Sequence, residues 1–123
     1  EGVAFLVLAE GKTIYHAGDL NDWYWKEESE DWNQEMSAKF RKYIEPLRDR
    51  KIDAAFIPLD PRQEEYYTLG MDYFLELAKP EKVYPMHFWR KPEIIERWLE
   101  EHPQSQDRDR IVRITEEGEL FKQ

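Results

Sequence analysis

The sequence predicts an α/β domain, and three observations carry that prediction. Short apolar runs alternate with stretches whose apolar residues recur at helical spacing. Gly and Pro punctuate the joins between them. The resulting order, β-β-α-β-α-β-α-β-β, is the alternation expected of strands layered against helices. With 123 residues there is room for one domain, 1-123, and not for two of ordinary size.

The elements follow in chain order. Val3 to Leu8 is a nearly continuous apolar run, expected as a strand covered on both faces. Glu10-Gly11 reverses the chain, and Lys12 to His16 returns as the second arm of a hairpin. Asn21 to Asn33 reads as a loop that holds Trp23, Tyr24, Trp25 and Trp32 among many acids. From Glu35 the apolar residues Met36, Phe40, Tyr43, Ile44 and Leu47 form the stripe of an amphipathic helix, which Pro46 should kink or end. Asp53 to Pro58 is a short buried strand. Met71 to Ala78 is a helix with Met71, Phe74, Leu75 and Ala78 on one side, stopped by Lys79-Pro80. Lys82 to Met86 is the next strand, and its Pro85 is expected to mark the end of regular pairing. Pro92 suits the first position of a helix whose inward stripe is Ile94, Ile95, Trp98 and Leu99. A polar loop from His102 to Arg110 leads to a closing hairpin, Ile111 to Thr115 and Glu119 to Lys122, around Glu117-Gly118.

Composition narrows the functional classes. Hydrophobic residues at 41% and aromatics at 15% are enough for a packed core. The 27 acidic residues against 18 basic ones give a net charge of -9, which argues against a sequence-independent grip on phosphate backbones. No direct nucleic-acid binding is expected. A nucleotide held through a metal ion stays open, because a bound cation inverts the local charge. Without cysteine there is neither disulfide nor thiolate metal site, and the leaning is to the cytoplasm. No apolar run approaches the roughly 20 residues a spanning helix needs, and no signal-peptide pattern opens the chain. No membrane partner is expected. The chain starts without Met and enters strand pattern almost at once, so we expect it to be a piece of a longer protein.

Two residues stand where a buried strand runs out into a loop. Asp19 follows "KTIYH", and His87 follows "KVYPM". In layered α/β proteins such strand ends converge on one edge of the sheet, where sites tend to be built. A carboxylate can bridge two cations, and a neutral imidazole is a common ligand for zinc, manganese or iron. Each residue taken singly also fits a turn or packing role.

"IYHAGDL", then "DAAFIPLD", a helix opened by Gly70-Met71, "KPEKVYPMHFW" and a further helix together resemble the C-terminal half of the metallo-β-lactamase fold. The likeness is greatest to the metal-dependent hydrolase branch with lactonase-like enzymes, and it covers nearly the whole chain. It implies half of an αββα sandwich. It implies that Asp19 bridges two metals and that His87 binds the second. The divalent metal would be zinc, with manganese and iron as alternatives. The activity implied for the parent is hydrolysis of an ester, lactone or phosphodiester bond of a small-molecule substrate by a metal-bound hydroxide.

The departure from the family is as plain as the match. The H-x-H-x-D-H motif, which supplies most ligands and the water-activating Asp, is absent, as is the further His that lies between it and the Gly-Asp motif. The three histidines are His16, His87 and His102, and no two stand at a metal-ligand spacing. Half a site is expected, with little or no metal on the chain alone and no hydrolysis by it.

Other candidates read as structural first. His16 suits packing or support of Asp19. His102 suits a helix C-terminus, where the macrodipole favours positive charge. Asp60 before Pro61 suits turn capping, with a place on the site rim as a second reading. Arg62 reads as an exposed loop residue that could meet an anionic group. The tryptophans of loop 21–33 could form a lid over substrate or pack under the next helix.

The alternative function is a non-catalytic acidic α/β interaction module that uses the aromatic loop 21–33. In either case the side chains of "VAFLVL" and "DAAFIP" that helices leave uncovered are expected to be sticky. They predict a homo-oligomer, or binding of the missing N-terminal half.

Overall fold

A computed structural model describes residues 4–89 and 91–113, a mixed α/β chain. The strands are β1 (Phe5–Ala9), β2 (Lys12–His16), β3 (Lys51–Pro58) and β4 (Lys79–Met86), and the helices are α1 (Glu30–Ile44), α2 (Leu69–Leu77) and α3 (Glu93–Glu101). The sheet runs β1-β2-β3-β4 in space. β1 and β2 pair antiparallel across the Glu10-Gly11 turn, with Phe5 opposite His16 and Ala9 opposite Lys12. Both turn residues take positive φ, as a two-residue hairpin turn requires. β2, β3 and β4 are parallel, so their C-terminal ends share one edge. The crossovers are α1 and α2, each long enough to carry the chain back to the start of the next strand.

One face of the sheet is packed. Tyr15, Ala55, Ile57 and Val83 from the strands join Phe40, Ile44, Met71, Phe74, Ile95, Trp98 and Leu99 from the helices in one core. Tyr15 stacks on Phe74 with ring centroids 5.7 Å apart. Burial in that contact pushes the Tyr15 hydroxyl up to about 12. The other face carries a row set by register, Phe5, His16, Phe56 and Tyr84. Its rings stack at 5.4 Å (His16 on Phe56) and 4.9 Å (Phe56 on Tyr84).

Several expectations need correction. β1 is not covered on both faces: Phe5 is 56% exposed and Leu8 68%. Among the described residues it is an edge strand bonded only to β2, and the helices lie over the strands further in. The loop after Asn21 ends earlier than expected, because α1 starts at Glu30 and includes Trp32 and Asn33. The overlooked signal is Ser29, whose hydroxyl accepts from the Trp32 N–H at 3.1 Å, followed by Glu30 and Asp31 in the first turn. Lys79-Pro80 does end α2, but it also opens β4, three residues before the expected start. Pairing does not stop at Pro85, which registers opposite Ile57, with Met86 opposite Pro58. On its far side β4 makes only the parallel bridge of Val83 to Ile111 among the described residues, so a proline without N–H is tolerated there. Pro92 caps α3 from just outside it. Of the expected closing hairpin, Ile111 bridges parallel to β4, Val112 and Arg113 are in no strand, and the rest lies outside the described residues.

Among the described residues no helix is long and apolar enough to cross a membrane.

Candidate functional site

The parallel edge gathers one ionisable residue from each strand end. Asp19 lies three residues past β2, Asp60 two past β3 and His87 one past β4. The structure brings Asp19 and His87 together, with Nε2 of His87 2.7 Å from Oδ1 of Asp19. Gly18 makes this possible on one side by turning through φ +62°. His87 itself takes φ +70°, a conformation uncommon outside glycine, which turns the backbone as β4 ends. The Asp19 side chain is 62% exposed, whereas that of His87 is 22% exposed.

Asp60 closes the other side of the imidazole. Its side chain is fully buried, and Oδ2 lies 3.6 Å from His87 Nδ1. That carboxylate accepts from the Arg62 backbone N–H at 2.9 Å, from Arg62 Nη2 at 2.7 Å and from Trp89 Nε1 at 3.3 Å. Burial alone would raise its pKa. The Arg62 bonds, side-chain and backbone, together with Trp89 outweigh that and hold it below the usual carboxylate value. Arg62 is in turn pushed up by its bonds to Asp60. Its guanidinium stands 4.8 Å above the Trp89 ring and 5.8 Å from that of Trp25. The capping role expected for Asp60 is present, and the same turn sets its carboxylate beside His87. Arg62 is exposed as expected, but it is fixed rather than free.

Aromatic rings wall the site. Trp23 and Trp25 stack in parallel at 5.4 Å, Trp23 lies 5.8 Å from the His87 ring, and Trp89 meets His87 edge-on at 6.1 Å. The Trp23 indole N–H donates to the Asp19 carbonyl at 2.7 Å, folding the loop back over its own start. Trp32, by contrast, has left for α1.

A buried polar network pins this loop, and sequence reasoning missed it. Asn21 donates to Gln63 at 2.9 Å, and Gln63 donates to the Asp22 carbonyl at 2.8 Å. The Ser37 hydroxyl donates to the Asp22 carboxylate. Burial raises the Asp22 pKa despite that bond and the nearby Arg41. Asn33 accepts from the Trp25 N–H at 3.0 Å and donates to the Trp25 carbonyl at 2.8 Å. These bonds tie the loop to α1 and to the turn after β3, although Asn21 Oδ1 is buried without a partner among the described residues. Nothing in the linear pattern marks these residues, since Asn, Gln and Ser are ordinary in loops and on helix surfaces.

The remaining histidines fall where packing puts them. His16 is on the open sheet face, and its Nδ1 accepts from the Gly18 N–H at 3.0 Å, supporting the turn that leads to Asp19. His102 ends α3, stacks on Trp98 at 3.9 Å and meets the Trp98 carbonyl and Asp72.

Asp19 and His87 are the donor types that zinc, manganese and iron accept. Bonds of about 2.0–2.1 Å at tetrahedral angles would set the two donor atoms about 3.3 Å apart. A separation of 2.7 Å is a direct contact between them, so a cation would require Asp19 to swing outward, which its exposure permits. Among the described residues no group of three or more His, Cys, Asp or Glu side chains is arranged to hold a metal ion. The pair thus fits a metal by donor chemistry and supplies two ligands of the three or so a catalytic metal takes from its protein.

Comparison with known protein families, with curated proteins and with solved structures finds no match to this chain. Fold and site define a mixed α/β domain with an imidazole–carboxylate pair at the ends of parallel strands. The likeness to metallo-β-lactamase hydrolases rests on the sequence motifs alone.

Proposed function

We propose that this chain is the C-terminal half of a metal-dependent hydrolase of the metallo-β-lactamase type, one half of an αββα sandwich acting in the cytoplasm. The observation that supports this most is the 2.7 Å approach of Asp19 and His87 at the shared edge of β2 and β4. In this reading Asp19 is the bridging ligand and His87 a terminal one. The remaining ligands come from an H-x-H-x-D-H segment that precedes Glu1. A bound zinc, manganese or iron ion would supply Lewis acidity and an activated water for an ester, lactone or phosphodiester. The chain's own residues hold the ligand edge in place, and the Trp23, Trp25 and Trp89 rings restrict water around it. The open sheet face, with Phe5, Phe56 and Tyr84, is where the other half or a second copy would pack. The test is to read the frame upstream of Glu1 and co-express what it encodes. Metal uptake and esterase, lactonase or phosphodiesterase activity are expected from the joined halves. An upstream frame without histidine ligands would end the proposal.

The rival is a non-catalytic interaction module. It would use the aromatic loop 21–33, and it is favoured by one observation, that Trp89, close to that loop through Arg62, is 58% exposed. Tight binding of a protein partner that survives Asp19→Asn and His87→Ala, with no hydrolysis by the joined halves, would favour it.

A further inference from the structure

The imidazole of His87 sits between two carboxylates, and its two nitrogens are not equivalent. Nε2 faces exposed Asp19 at 2.7 Å, whereas Nδ1 faces fully buried Asp60 at 3.6 Å. Nδ1 is itself buried and has no hydrogen-bond partner among the described residues. We propose that Asp60 is a positioning residue, whose Oδ2 draws the proton of neutral His87 to Nδ1 and leaves the Nε2 lone pair facing Asp19 as a ligand for a divalent cation. The metal side of this inference rests on the function proposed above.

The two neutral tautomers differ in what they leave unsatisfied. With the proton on Nε2, Asp19 gains a donor, but a bare lone pair at Nδ1 is shut in against a buried carboxylate. A buried acceptor facing an acceptor loses its hydration and gains nothing. With the proton on Nδ1, a closure of well under 1 Å makes a charge-assisted bond to Asp60. The lone pair at Nε2 then meets Asp19, which is exposed and free to turn aside. A cation between Nε2 and Asp19 converts that repulsion into two ligand bonds. Ligating histidines commonly donate their other ring N–H to a carboxylate for this reason.

Asp60 is built to stay in place. Arg62 and Trp89 hold it with donors on both sides. The same Oδ2 takes Arg62 Nη2, Trp89 Nε1 and the approach of His87 Nδ1, so one oxygen organises the loops after β3 and β4. A cap alone needs only the Arg62 backbone N–H, which bonds to Oδ1. Oδ2, held in place by Arg62 Nε and Nη2 and by Trp89 Nε1, is the oxygen that faces His87 Nδ1.

The test is nitrogen NMR of the histidines in the whole chain, at a pH high enough for the ring nitrogen shifts to report neutral imidazole. Long-range proton–nitrogen correlations report which ring nitrogen carries the proton. In the wild type His87 is expected as the Nδ1–H tautomer, and in Asp60→Asn its Nε2–H form should rise. Arg62→Gln, which keeps the Asp60 carboxylate, should leave the Nδ1–H form dominant. Millimolar Mn2+ should broaden the His87 signals in the wild type and require ~10-fold more metal in Asp60→Asn. An Nε2–H tautomer in the wild type overturns the proposal, even if the variants do not fold. So does a tautomer that Asp60→Asn leaves unchanged. An Nδ1–H tautomer with no Mn2+ effect would keep the positioning role and discard the metal reading.

Discussion

His87 Nε2 lies 2.7 Å from Asp19 Oδ1, across 68 residues of chain. The two meet because β2, β3 and β4 are parallel and finish at one edge, so residues that follow different strands become neighbours there. Removing His87 should therefore be felt at Asp19 and not at the core, whose centre is Trp98, Phe74 and Ile52. His87→Ala is expected to keep the urea midpoint close to wild type, because alanine also carries a Cβ and leaves the positive-φ strain in place. A large loss of stability would show that the pair holds the fold together.

The chain alone should be poor in metal. With two candidate ligands, purified protein is expected to carry well under one zinc, manganese or iron per molecule by elemental analysis, and to leave esters and lactones intact. Stoichiometric metal that is lost in Asp19→Asn would mean that a neighbouring copy completes the site.

Acid should unfold the chain partly through Asp60. Its folded pKa is depressed, so its contribution is fully present above the unfolded value of about 3.9 and is lost as pH falls through the lower folded value. Asp22 has the opposite sign, because burial raises its folded pKa: its contribution is present at low pH and is lost as pH rises through that raised value. Urea midpoints measured from about pH 6 to pH 3 should fall less steeply in Asp60→Asn than in the wild type. Equal slopes would mean that the Arg62 pair gives Asp60 no net preference for ionisation.

Gly70 is expected to resist substitution. A Cβ there would overlap Asn21 Oδ1 and come within 3.2 Å of the Asp22 backbone nitrogen. Asn21 is buried and tied to Gln63, so it has little freedom to retreat. Gly70→Ala should cost about 1–3 kcal/mol, the usual range for overpacking, and should loosen the tryptophan loop. Chemical denaturation with tryptophan fluorescence reads both. An unchanged midpoint would show that Asn21 moves aside at no cost.

The open face of the sheet should make the chain self-associate. Phe5 and Val7 on that face, and Leu6 and Leu8 on the other, are all at least 40% exposed on an edge strand. Contact of about 800 Å² per partner would suffice for a specific dimer. Sedimentation at micromolar concentration is expected to show species larger than the monomer, reduced by Val7→Lys. A monodisperse monomer that unfolds cooperatively would show that the domain closes its own core.

Apolar spacing by itself determined the α/β class, the hairpin at Glu10-Gly11, the crossover helices and the inward stripe of α3, because these depend on local periodicity and turn chemistry. It also put Asp19 and His87 just beyond strand ends, and the family resemblance singled them out from there. It misjudged β1, whose apolar run looks buried although its place at the edge leaves it exposed; exposure depends on which strand lies in the middle, and that is a property of the whole sheet. Only the tertiary structure decided that Asp60, Arg62 and Trp89 join the site. Their sequence signals are those of an ordinary capped turn and a surface aromatic. The parallel edge alone gives them a common oxygen, Asp60 Oδ2, on which to meet.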